Sequence, residues 1–138
     1  QSEEEIRPMK IRHIGIAVDS IKERLPVWES FGLKLDHTEK VDSEGVTTAH
    51  LKVGGYEIEL LEPMGEDTPV GKFINKKGPG IHHLALEVDN IEETLAKAKK
   101  NGLEPIGEAP RSGADNTLVA FFHPKDTGGV LLEIVQNK

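Results

Sequence analysis

Two histidines and two glutamates stand at related positions in this 138-residue chain. Residues 11–20 read IRHIGIAVDS and residues 81–90 read IHHLALEVDN, so His13 and His83 take the third place of two similar phrases. Each lies on a run that otherwise reads as a buried strand. Downstream, YEIELLEP carries Glu59 and GVLLEIVQ carries Glu133, each among apolar strand neighbours. An unpaired carboxylate in such surroundings is costly. Imidazole together with carboxylate is a donor set that suits first-row divalent ions. Four protein ligands on a six-coordinate ion leave two positions open, where a substrate could bind. A single His at a strand start is ordinarily a hydrogen-bonded structural residue. Recurrence at equivalent positions reverses that reading for His13, His83 and Glu133. Glu57 shares the predicted face of Glu59 and competes with it.

The elements that must position these groups also recur. With His13 aligned on His83, Val18-Asp19 falls on Val88-Asp89, Ile21 on Ile91, and Gly32-Leu33 on Gly102-Leu103. A spacing this long suits a duplicated supersecondary block and not a solenoid unit. Each copy opens with a strand, 11–18 or 81–88. A helix follows, started by Ser20 with Glu23 or by Asn90 with Glu93, pairings that fit capping boxes. Gly32 or Gly102 closes it in the left-handed position, and Pro26 is expected to kink the first helix. Three strands come next, near 33–40, 46–53 and 56–62 in one copy and near 103–108, 116–123 and 129–136 in the other. Gly54-Gly55 reads as a two-residue hairpin turn. The fold class is α+β, β-α-β-β-β written twice.

Strand side chains alternate between faces. Ile14, Ile16 and Val18 should pack under the first helix, which leaves His13, Gly15 and Ala17 on the other face. Leu84, Leu86 and Val88 do the same for the second copy, leaving His83, Ala85 and Glu87. Small residues beside the His leave that face open. By the same parity His82 points away from His83. His37 and His50 have no counterpart in the other copy and read as surface or packing residues, and His123 reads as a turn cap.

Composition removes several function classes. A net charge of −7 argues against non-specific nucleic-acid binding. The absence of cysteine excludes disulfides and thiolate chemistry and points to a reducing cytoplasm. No run has the length of a membrane span. Residues 1–8 read as a mobile leader. Residues 9–138 read as one domain, with module one at about 9–65, a linker at about 66–79 and module two at about 80–138.

Five segments carry a family resemblance: HIGIAVDSI at 13–21, IELLEP at 58–63, EDTPVGKFINKKG at 66–78, GIHHLALEVDNI at 80–91 and HPKDTGGVLLEI at 123–134. From Met9 onward the chain resembles the vicinal oxygen chelate (glyoxalase-like) superfamily, and within it the methylmalonyl-CoA epimerase family. That resemblance implies a curved, mostly antiparallel sheet around a metal site. It implies a divalent ion (Co, Mn, Ni or Zn) on His13, Glu59, His83 and Glu133. It further implies interconversion of (R)- and (S)-methylmalonyl-CoA through an enolate, with Glu133 a candidate for proton transfer; Glu59 is this chain's candidate for the other face. Lys72, Lys76, Lys77 and Lys125 are the candidates for the CoA phosphates, and a homodimer is the expected assembly.

Relatives often carry Gln at the position of Glu59 and Glu at that of Thr48, so the second carboxylate has moved in this chain, with Glu44 a weaker substitute. The alternative is a glyoxalase I-type lactoylglutathione lyase, which shares the ligand order. Its small bacterial forms place an Arg in the first strand where this chain reads IGIAVD, and their final turn resembles D-P-D-G more than HPKDTGG. A dioxygenase would need only one carboxylate, and a sequestering protein would need no ligand set.

Overall fold

The computed structural model describes residues 9–113 and 115–138. The predicted leader lies outside them. Among the described residues, 13–83 form one compact unit, and 84–113 and 115–138 with 9–12 form another.

The first unit takes in most of β1 (Lys10–Ala17), α1 (Ile21–Glu29), β2 (Lys34–Val41), β3 (Val46–Val53), β4 (Tyr56–Pro63) and α2 (Pro69–Lys77). Its strands run in the order β2-β3-β4-β1. β3 is antiparallel to both β2 and β4, whereas β1 joins β4 in parallel, with His13 opposite Glu57 and Gly15 opposite Glu59. The Gly54-Gly55 turn sets the β3–β4 register, because Gly54 takes a φ of 58° that favours glycine.

The second unit contains the end of β5 (Gly80–Glu87), α3 (Ile91–Lys100), β6 (Arg111–Gly113), β7 (Thr117–Phe122), α4 (Pro124–Thr127) and β8 (Leu131–Asn137). Its strand order is β5-β8-β7-β6. Among the described residues no helix is long and apolar enough to cross a membrane.

The duplication extends to individual hydrogen bonds. Ser20 accepts from the Glu23 N–H at 3.2 Å, and Asn90 accepts from the Glu93 N–H at 3.0 Å. One residue on, the Ile21 N–H donates to Glu62 and the Ile91 N–H to Gln136, both at 2.7 Å. Each helix start therefore has two of its otherwise unpaired N–H groups satisfied, one locally and one by the last strand of its own copy. The Val18 N–H meets the Leu61 carbonyl as the Val88 N–H meets that of Val135. Ile16, Val18, Ile58 and Leu60 pack with Ile21, Leu25 and Trp28 of α1. Leu86, Val88, Leu132 and Ile134 pack with Ile91, Leu95 and Ala98 of α3. α1 runs on through Pro26 to Glu29.

Two stretches differ from the sequence reading. Residues 103–108 are not a strand. Pro105 and Pro110 lack an N–H, Gly107 has φ 70°, and the Ile106 N–H to Phe121 carbonyl bond is what remains of a ladder there. Pairing with β7 resumes only at β6.

The predicted linker houses α2. Thr68 caps it by accepting the Gly71 N–H at 3.0 Å, and Pro69 fills the first turn, a start signal legible in the sequence. α2 lays Val70, Phe73 and Ile74 on Ala17, Val46 and Leu61, covering part of the face read as open. Its close seating depends on Gly71. A Cβ there would overlap the Gly65 carbonyl oxygen and stand 2.9 Å from the Glu66 Cα. Both obstacles are backbone, so Gly71→Ala is expected to destabilise the protein by about 1–3 kcal/mol. A lower urea midpoint at unchanged slope is the measurement that checks it.

Candidate active site

His13, Glu59 and His83 meet within the first unit. The two Nε2 atoms of His13 and His83 lie 2.9 Å apart, with the rings edge to face at 87°. On the far side of the His13 ring, Nδ1 is 3.1 Å from Oε2 of Glu59, and these two side chains are 13% and 12% exposed. An ionised carboxylate only accepts, so the His13 Nδ1–H donates to it and Nε2 keeps its lone pair.

Gly15 explains how His83 fits. A Cβ at Gly15 would stand 2.6 Å from Nδ1 and 2.8 Å from Nε2 of His83. The space read from sequence as an open face is thus occupied by the second imidazole. Burial, and then the neighbouring His13 and His82, push the His83 imidazole down to about 3. It is therefore a neutral donor at any working pH.

These residues fit a divalent ion. The facing Nε2 atoms of His13 and His83 would offer two imidazole nitrogens to one ion. Imidazole and carboxylate are also donors that such ions accept.

One residue of this cluster was missed in the sequence. His50, read as a surface or packing residue, has a side chain only 12% exposed, with Nδ1 3.1 Å from Glu57 and 3.6 Å from Glu59. Its Nε2 lies 2.9 Å from the Thr48 hydroxyl. The signal was the Gly54-Gly55 hairpin, since a two-residue turn between Val53 and Tyr56 sets His50 opposite Glu59. Glu57, the competitor of Glu59, thereby has a partner of its own. Burial alone would raise its carboxyl, but the hydrogen bond from His50 and the charge of Lys52 hold it below the usual range.

His37 stacks on His50 at 4.1 Å with the planes 9° apart. Rings so stacked aim their lone pairs in parallel planes, which disfavours a shared ion. The Asp36 hydrogen bond raises the exposed His37. His82 packs edge-on against Phe73, as its parity requires, yet its Nδ1 still comes within 3.0 Å of the His83 Nδ1. His123 does cap a turn, accepting the Lys125 N–H at the start of α4.

The remaining predicted residues are not joined to this cluster within the first unit. Glu133 is half-buried on β8 of the second unit, opposite Phe121. Lys72, Lys76 and Lys77 are exposed on α2, Lys77 at 6.0 Å over the Phe73 ring, and Lys125 is exposed on α4. Glu44 is exposed in the 3-10 turn Asp42–Glu44.

The sequence matches the Glyoxalase/Bleomycin resistance protein/Dioxygenase superfamily over residues 12–121. The chain belongs to that superfamily. A hypothetical protein of Bacillus halodurans C-125 superposes at a TM-score of 0.89 with 47% identity, covering 96% of each chain. A variant of Streptomyces coelicolor methylmalonyl-CoA epimerase, solved in complex with 2-nitronate-propionyl-CoA, gives a TM-score of 0.83 at 34% identity over 93% of this chain and 94% of its own. The mitochondrial methylmalonyl-CoA epimerase of Homo sapiens is 33% identical over 92% of this chain and 73% of its own length. A lactoylglutathione lyase of Escherichia coli O157:H7 is more distant, at 24%.

Thr48 is 6% exposed, and its hydroxyl donates to the His50 Nε2, because the His50 Nδ1–H is directed at the Glu57 carboxylate. A hydroxyl–imidazole–carboxylate series stands where relatives were expected to place one carboxylate.

Proposed function

We propose that this chain is an epimerase that interconverts the two configurations of methylmalonyl-CoA by removing and returning the α-proton. The observation that carries this reading is the facing pair His13 and His83 with Glu59 on the His13 Nδ1, in a chain similar to methylmalonyl-CoA epimerases over nine-tenths of its length. The α-carbon lies between a thioester and a carboxylate. Charge released at that carbon delocalises into the thioester, and the task of the site is to stabilise it. His13, His83, Glu59 and Glu133 would hold a divalent ion, which supplies Lewis-acid polarisation of the substrate oxygens. Glu133 and Glu59 serve as the proton-transfer pair, one for each face of the planar carbon. Lys72, Lys76, Lys77 and Lys125 offer the positive charge that CoA phosphates require. A reducing cytoplasm suits a chain without cysteine, and a homodimer is the assembly expected of paired modules of this kind.

The test is incubation of metal-loaded protein with methylmalonyl-CoA in deuterated water, with a glutathione hemithioacetal in parallel. Deuterium should enter the α-position of the thioester substrate. Turnover of the hemithioacetal alone would replace this reading by that of a lactoylglutathione lyase.

A further inference from the structure

His82 stands outside the ligand set, and its parity on β5 sends its side chain to the opposite side from His83. Its ring nevertheless turns so that the two Nδ1 atoms lie 3.0 Å apart. It is held there by Phe73 of α2, whose ring meets it edge-on at 4.9 Å and 79°. His83 thus fills the space that a Cβ on Gly15 would take, and meets His13 at Nε2 and His82 at Nδ1.

Two imidazole nitrogens at hydrogen-bond distance need one donor and one acceptor. When His83 gives its Nε2 lone pair to a metal ion, its proton must reside on Nδ1, which then donates to His82. We infer that His82 is a positioning residue for the metal centre: its Nδ1 accepts the His83 Nδ1–H, fixing the tautomer and the ring orientation in which His83 Nε2 faces His13. The inference rests on the metal reading given above. It gives α2 a function as well, since the helix braces His82 through Phe73. A ligating His generally needs such an outer partner, and loss of that partner typically weakens metal binding by about 10–100-fold. A neutral imidazole in this place serves where a carboxylate or carbonyl is more usual.

The experiment uses the full chain, stripped of metal and titrated with Zn²⁺ by calorimetry, as wild type, His82→Phe and His82→Asn. Phenylalanine keeps a flat ring against Phe73 but offers no acceptor. Asparagine restores an acceptor oxygen near the position of Nδ1. The Phe variant should bind Zn²⁺ about 10–100-fold more weakly, with the Asn variant recovering most of the loss. In nitrogen-15 spectra of the Zn²⁺-loaded wild type, His83 should be protonated at Nδ1, and in the Phe variant that resonance should broaden or shift. If the Phe variant does not fold, His82→Ala takes its place in the comparison.

Equal affinity in wild type and Phe variant would overturn the inference, as would equal losses in the Phe and Asn variants or a His83 proton found on Nε2 in the loaded protein. A wild type that binds no divalent ion would instead overturn the metal reading, and this inference with it.

Discussion

Gly15→Ala is expected to remove divalent-ion binding while leaving the fold nearly as stable as before. The atoms an added Cβ would meet are those of the His83 imidazole, with Nδ1 at 2.6 Å and Nε2 at 2.8 Å. A side chain can rotate away where backbone cannot, so the ring yields before the strand does. Gly15 lies in the middle of β1, and alanine in a strand is no conformational burden. The stability change should therefore stay at the low end of the roughly 1–3 kcal/mol that overpacking costs. The site has no such latitude. With His83 displaced, Nε2 no longer faces His13, and the loss of affinity should exceed the about 100-fold that removing an outer partner can cause.

A double-mutant cycle isolates the cause. In a His83→Ala background the added methyl has no ring to displace, so Gly15→Ala should cost almost nothing further in Zn²⁺ affinity. Additive losses would mean that Gly15 acts through the backbone and not through His83.

Glu59→Gln should lower epimerisation and α-deuterium exchange by about 10²–10⁴, the range ascribed to a general acid or base. Glutamine keeps an oxygen that can accept the His13 Nδ1–H, so the 3.1 Å contact and the orientation of His13 survive. What it loses is the capacity to take a proton. Because Glu59 is also proposed as a ligand, calorimetric Zn²⁺ affinity should fall as well, and rates compared at saturating Zn²⁺ separate its proton-transfer role from its ligating one. Full activity in the variant would remove Glu59 from the proton-transfer pair. Thr48 cannot take over the role, because its hydroxyl is committed to His50 and it has no carboxylate to offer.

Much of the local structure was legible from chemistry that acts over a few residues. Caps at Ser20 and Asn90 satisfy helix N–H groups three residues away. Glycines at 32 and 102 take positive φ because the left-handed position that closes a helix admits them without strain. Alternation on β1 and β4 placed Ile16, Val18, Ile58 and Leu60 under α1. Two failures came from signals that were present but not used. The Thr68-Pro69 start of α2 was read as linker, and the register implied by Gly54-Gly55 was not carried through to His50.

Residues 103–108 failed for the opposite reason. Their apolar content suggested a strand, whereas Pro105, Gly107 and Pro110 removed the backbone geometry and donors that a ladder needs.

By itself the sequence determined the duplicated β-α-β-β-β order and singled out His13, His83, Glu59 and Glu133, because repetition and alternation are properties of the chain alone. Only the tertiary structure decided what fills the space at Gly15, which glutamate reaches His13, and that His50 and His82 stand beside the candidate ligands. These outcomes depend on strand pairing and ring rotation, as in the parallel register of β1 on β4 that sets Gly15 opposite Glu59. No spacing in the sequence encodes how an imidazole turns on its Cβ, and that turn is what brings the nitrogens together.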